Sequence, residues 1–126
     1  MKRSSLLSVV GVCLMFLVCF ACSRPVQELS DFDKKTWKDD FKGCKGDRKQ
    51  FVGVLREQEQ KLKGLSERDL VSVLGKPDRN DLSEHHEKFY YYFIEPGPGC
   101  EGIDSIGMKL VVRFNATGVS REIAIE

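Results

Sequence analysis

Two adjacent histidines, a set of scattered carboxylates and five cysteines hold most of the chemistry open to this 126-residue chain. His85 and His86 are neighbours, so their rings diverge, pointing to opposite sides of a strand or about 100° apart on a helix. They lie among Glu84 and Glu87 in a polar stretch, which predicts a solvated loop rather than a metal or pH-sensing site. No carboxylate is embedded in an apolar pattern that would raise its pKa toward a catalytic value. Ser66 precedes an apolar run with Asp69 three residues on, the spacing of a helix cap rather than of an activated nucleophile. No phosphate loop and no triad signature is present, so the chain is expected to be non-enzymatic, with no catalytic residues and no cofactor. Cys44 and Cys100 occupy glycine-bearing stretches, Gly43-Cys44-Lys45-Gly46 and Gly99-Cys100-Glu101-Gly102. Two distant cysteines and two adjacent histidines do not make zinc spacing, so no metal is expected either.

The other three cysteines lie at the start of the chain. Lys2 and Arg3 lead into an apolar run from Leu6 to Phe20 that ends at Ala21-Cys22-Ser23. A positive start, an apolar middle and a small residue at the cut are the parts of a secretory signal over residues 1–21. The run is shorter than the roughly 20 apolar residues a membrane span needs. Cys22 after a small residue resembles a bacterial lipobox, in which the cysteine is acylated and becomes the first residue of the mature protein. Cys19 stands where that pattern usually has Leu; a non-lipidated signal and an uncleaved anchor are the alternatives. Cys13 and Cys19 would leave with the signal and Cys22 would take lipid, which leaves Cys44 and Cys100 as one pair. In an exported domain that pair is expected to be a disulfide. It would close a long loop, worth on the order of 4 kcal/mol in the chain-entropy picture.

Removing Lys2 and Arg3 from the 20 basic residues leaves 18 against 19 acidic ones, a net charge of −1 for residues 22–126. A near-neutral domain carries no electrostatic footprint for nucleic acid. The remaining length suits one domain.

Residues 22–36 read as a lipidated flexible tether with little apolar content, followed by a single domain over 37–126. Trp37 and Phe41, four apart, are expected on one side of a helical turn that docks the tether's end. From Asp47 to Lys63 the apolar spacing of Phe51, Leu55 and Leu62 predicts a helix, with Gln58 interrupting its stripe. A second, shorter helix has both ends specified: Leu65 and Leu70 as a hydrophobic staple around Ser66, then Gly75 and Pro77 as the stop. Residues 79–87 read as a polar loop. Beyond it the period changes to two, giving strands Phe89–Ile94, Met108–Phe114 and Val119–Ile125, the last two joined by the Asn115-Ala116-Thr117-Gly118 turn. The expected fold is α+β, two helices packed on one face of a three-stranded antiparallel meander.

The aromatic strand is the candidate for partner binding. Phe89, Tyr91 and Phe93 share one face and Tyr90, Tyr92 and Ile94 the other. Only one face can cover the helices, and tyrosines supply apolar area with a polar tip at interfaces. The competing expectation is that cross-strand neighbours such as Val111 and Arg113 cover the second face.

The Gly64-Leu65-Ser66 helix start, the Leu74-Gly75-Lys76-Pro77 stop, the strand Phe89-Tyr90-Tyr91-Tyr92-Phe93 and the run from Leu110 to Val119 together resemble the BamE (SmpA/OmlA) family of small outer-membrane lipoproteins. The resemblance covers roughly residues 64–126, and similar modules include domains that inhibit β-lactamases. It implies a lipid-anchored protein of the outer membrane, its domain in the periplasm, serving as a scaffold in barrel-protein assembly or envelope integrity. The expected partners are the lipid bilayer, through acylated Cys22, and an envelope protein. A secreted inhibitor or ligand-binding module on the same fold is the alternative.

Overall fold

The structure, a computed structural model, describes residues 25–126. The signal over 1–21, the lipidation expected at Cys22 and the first residues of the tether lie outside the described residues. The rest is an α+β domain: short helices followed by a four-stranded antiparallel open sheet in the meander order β1-β2-β3-β4.

The stretch expected to be a tether lies against the domain from Val26 onward. Leu29 is buried, and Val26 and Phe32 pack against the core. Phe32 meets both Trp37 and Phe51 edge-on or tilted, at ring distances of 5.4 and 5.0 Å. A first helix, α1 (Lys34–Asp39), follows, its start fixed by Asp33 accepting from the Lys35 and Thr36 amides. Three apolar residues, too few to fold alone, suffice once a core exists for them to cover. Trp37 is fully buried, whereas Phe41 is 62% exposed. The four-residue spacing does not pair them, because α1 ends at Asp39 and Lys42 turns the chain at φ 58°.

The long helix expected over 47–63 is three pieces. Asp47–Phe51 is a tight 3-10 turn, α2 covers Val52–Glu57 and α3 covers Glu59–Leu62. The break falls at Gln58, whose side chain accepts from the Ser30 amide at 2.8 Å and donates to the Ser30 carbonyl at 2.9 Å. These bonds clasp residues 25–33 to the domain at the residue that interrupts the apolar stripe. Lys63 and Glu59 make an i, i+4 contact across α3.

Helix α4 (Glu67–Leu74) matches its sequence signals. Ser66 accepts the Asp69 amide at 3.1 Å and the Gly75 amide closes on the Val71 carbonyl at 2.8 Å. Strands β2 (Lys88–Phe93), β3 (Lys109–Phe114) and β4 (Ser120–Ile125) fall where expected, within a residue. The expected polar loop contains an extra strand, β1 (Arg79–Leu82), paired with β2 as a hairpin arm. All four of its residues are exposed. It has no apolar alternation because it covers no core, so the pattern that reveals the other strands is missing from it.

Burial alternates along β3, with Leu110, Val112 and Phe114 wholly buried and the residues between them half-exposed. Together with Tyr90, Tyr92 and Ile94 they form one core with Leu55, Leu62, Leu70 and Leu74 of the helices. The sheet therefore has a covered face and an open one. Buried Ser120 stitches β4 to the link between α3 and α4. Its hydroxyl donates to the Leu62 carbonyl at 2.6 Å and accepts the Leu65 amide at 3.0 Å. Cys44 and Cys100 are joined in a disulfide with Cα atoms 5.5 Å apart, an ordinary bridging distance, binding the 95–107 loop to the turn before α2.

Candidate functional site

The open face of the sheet is built by register. One row runs Arg79, Tyr91, Val111, Ala124 and the next Asp81, Phe89, Arg113, Glu122. Phe89 and Tyr91 are half-exposed and stack, 6.4 Å apart with planes at 19°. The Arg79 guanidinium lies 4.6 Å over the Tyr91 ring. Arg113 bonds Glu87 at 2.8 Å and Glu122 at 2.9 Å. Between these groups is a shallow depression of about 190 Å³ lined by the two aromatics, Val111, Arg113, Glu122, Ala124 and Glu126. The cross-strand neighbours thus flank the aromatics without covering them.

The other three aromatic-strand residues are not surface residues. Tyr92 is wholly buried and donates to the Gly75 carbonyl at 2.9 Å. Tyr90 is buried, its hydroxyl donating to Glu67 at 2.7 Å. Burial, with help from the Glu67 hydrogen bond and charge, pushes the Tyr90 phenol up to about 12, and burial raises the Tyr92 phenol as well. Phe93 points to the open side but is buried too, beneath the 95–107 loop at Gly97. Alternation assigned Phe93 its face correctly; the loop that covers it comes from outside the strand. Candidate partner residues are therefore Phe89 and Tyr91, without Tyr90, Tyr92 and Phe93.

His85 and His86 are exposed in the β1–β2 turn, His86 at φ 62°, and their rings make no hydrogen bond among the described residues. Among the described residues no cluster of histidine, cysteine and carboxylates could hold a metal ion. No described helix is long and apolar enough to cross a membrane.

Sequence reasoning missed a buried charge cluster. Asp40 and Arg48 are buried residues, and the Arg48 and Asp78 side chains are 3% and 1% exposed. Asp40 accepts the Lys45 amide at 2.7 Å and the Arg48 amide at 3.0 Å. The Arg48 side chain donates from Nε to the Trp37 carbonyl at 2.8 Å, and from Nη1 to Asp78 and to the Phe93 carbonyl at 2.9 Å. Its guanidinium stacks 4.7 Å over Trp37. Asp78 also accepts the Phe93 amide at 2.8 Å and the Lys42 amide at 3.1 Å. α1, the turn after it, the Asp47–Phe51 turn and β2 thus meet on one arginine. Charged residues in polar stretches read as surface, so no period marks them. Asp40 directly after α1, accepting the Lys45 and Arg48 amides, stands where an acidic acceptor ties down a turn, the one local signal available.

Comparison with protein families, with characterised proteins and with solved structures gives no match for this chain.

Proposed function

We propose that this protein is a non-catalytic, lipid-anchored protein-binding module of the bacterial cell envelope, held at the outer membrane through Cys22 with its domain in the periplasm. The observation that carries the binding role is the open sheet face, where Phe89 and Tyr91 stand half-exposed between paired charges. Aromatic area with a polar rim is the composition of a protein interface. The Cys44–Cys100 disulfide supports export, since such bridges persist outside the reducing cytosol. The order of helices before an antiparallel meander supports the BamE-like reading, and with it a role in barrel-protein assembly or envelope integrity.

The test is crosslinking in intact cells followed by purification of the chain, comparing the natural protein with a Phe89→Ser/Tyr91→Ser variant. Assembly-machine subunits recovered with the first and lost with the second are expected. Recovery of a soluble enzyme instead, with outer-membrane barrel levels unchanged by deletion, would transfer the fold to the inhibitor role. Mass spectrometry of the mature N-terminus should find two or three acyl chains' mass on Cys22, and an intact Met1 would refute cleavage and lipidation there.

A further inference from the structure

A second concavity lies away from the open sheet face, over the buried Arg48–Asp78 pair. It is a cleft of about 460 Å³ whose walls include Lys38, Phe41, Leu74, Lys76 and Pro77, with Arg48 and Asp78 at its floor. Its rim is cationic. Lys38 and Lys76 line it and form no ion pair among the described residues, nor do Lys42, Lys45 and Lys61 outside its walls, while Lys34, Lys35, Lys49, Lys63, Lys88 and Lys109 each face a carboxylate. The acids nearest in sequence are already engaged. Asp39 pairs with Lys35, Asp40 is turned inward onto backbone amides, and Asp78 is neutralised by Arg48.

The Lys38 and Lys42 side chains pass close to glycine backbone. The Lys38 stem lies along Gly75 so closely that a Cβ there would stand 2.8 Å from its Cε. Lys42 arches over Gly99 with its ammonium 5.2 Å from the Phe41 ring centre. On the floor, Arg48 Nη2 makes only a 3.5 Å contact to Asp78, which leaves hydrogen-bonding capacity on a guanidinium that is otherwise enclosed. Phe41, 62% exposed, supplies an apolar wall beside these donors.

The geometry points to a binding site for an acidic peptide segment of a partner protein. Its carboxylates would meet Lys38, Lys76 and the Arg48 Nη2 edge, and an apolar residue of the segment would pack on Phe41. Positive groups around an apolar notch match alternating acidic and apolar side chains. A bilayer surface also attracts lysines, but it is flat, and this notch would remain unfilled against it.

The test uses the full chain with its disulfide intact and a fluorescein-labelled peptide alternating glutamate with phenylalanine, read by anisotropy. Saturable binding is expected, weakening as salt is raised and absent for the glutamine counterpart. The Lys38→Gln/Lys76→Gln variant should bind about tenfold more weakly, equivalent to about 1.4 kcal/mol. Arg68→Gln/Arg121→Gln, whose exposed side chains lie outside the cleft, should bind as the natural chain does. Unchanged melting curves for both variants would confirm that neither unfolds the domain. Equal binding by the two variants, or flotation with phosphatidylglycerol vesicles in the absence of any peptide binding, would overturn the proposal.

Discussion

Removing the Asp78 carboxylate should expose how much of this domain hangs on one buried charge. Asp78 receives two guanidinium contacts from Arg48 and the amides of Phe93 and Lys42, with its side chain 1% exposed. In Asp78→Ala the Arg48 charge stays buried without a counter-ion. Breaking a buried pair in this way costs about 3–5 kcal/mol, because the surviving ion is desolvated and uncompensated. A domain of this size holds only about 5–15 kcal/mol of stability, so a melting point lower by at least about 12 °C is expected. The assay is urea unfolding followed by the fluorescence of Trp37, the single tryptophan, which is fully buried beneath the Arg48 guanidinium. Arg48→Met/Asp78→Ala should recover part of the loss, since it leaves no orphan charge yet still strands the Trp37 and Phe93 carbonyls and the Phe93 and Lys42 amides. A cost below about 1 kcal/mol for Asp78→Ala, or a double variant as unstable as the two single losses combined, would refute the reasoning.

Ser120→Ala should destabilise by about 1–3 kcal/mol, read in the same unfolding assay, because it strands the Leu62 carbonyl and the Leu65 amide. Replacing both Cys44 and Cys100 by Ala should lower stability by about 4 kcal/mol, the loop-closure value for a separation of 56 residues, with no loss of the sheet by circular dichroism. Glu67 is raised by its burial but lowered more by the Tyr90 hydroxyl and Lys88, so its folded pKa lies below the ordinary value of 4.5. Its contribution is therefore present above that value and lost as pH falls through the folded pKa. Glu67→Gln should flatten the acid limb of the stability curve. The opposite sign holds for Tyr90, whose raised pKa gives stability that is complete below 10 and lost as pH climbs toward about 12. Ultraviolet titration should find its phenolate forming at lower pH in Glu67→Gln.

The elements legible in the sequence are those whose ends are written in local chemistry. Ser66, Gly75 and Pro77 bracket α4. Asn115 accepts the Thr117 and Val119 amides and so builds the β3–β4 turn that its sequence predicts. The disulfide pair was legible because the signal expected over residues 1–21 and the lipidation expected at Cys22 would account for the other three cysteines. What escaped depends on contacts between distant residues. β1 has no buried face to impose alternation, and Gln58 breaks its helix by bonding Ser30, 28 residues away. The Arg48 cluster joins the side chains of Asp40, Arg48 and Asp78, polar in sequence and buried only after folding, to backbone groups of Trp37 and Phe93. Of the candidate interface, alternation found Phe89 and Tyr91; it could not foresee the loop that roofs Phe93.

The close packing of Val26, Leu29 and Phe32 on the core sets a mechanical limit on the module. The domain begins at Val26, four residues past Cys22, and four residues of fully extended chain reach only about 14 Å. An acyl group on Cys22 would keep the globule on a short leash, grazing the bilayer rather than sweeping the space below it. A protein it captures would then be held within that distance of the lipid plus the width of the globule. Loosening the Gln58 clasp on Ser30 would pay out more line and widen the radius over which the module can search.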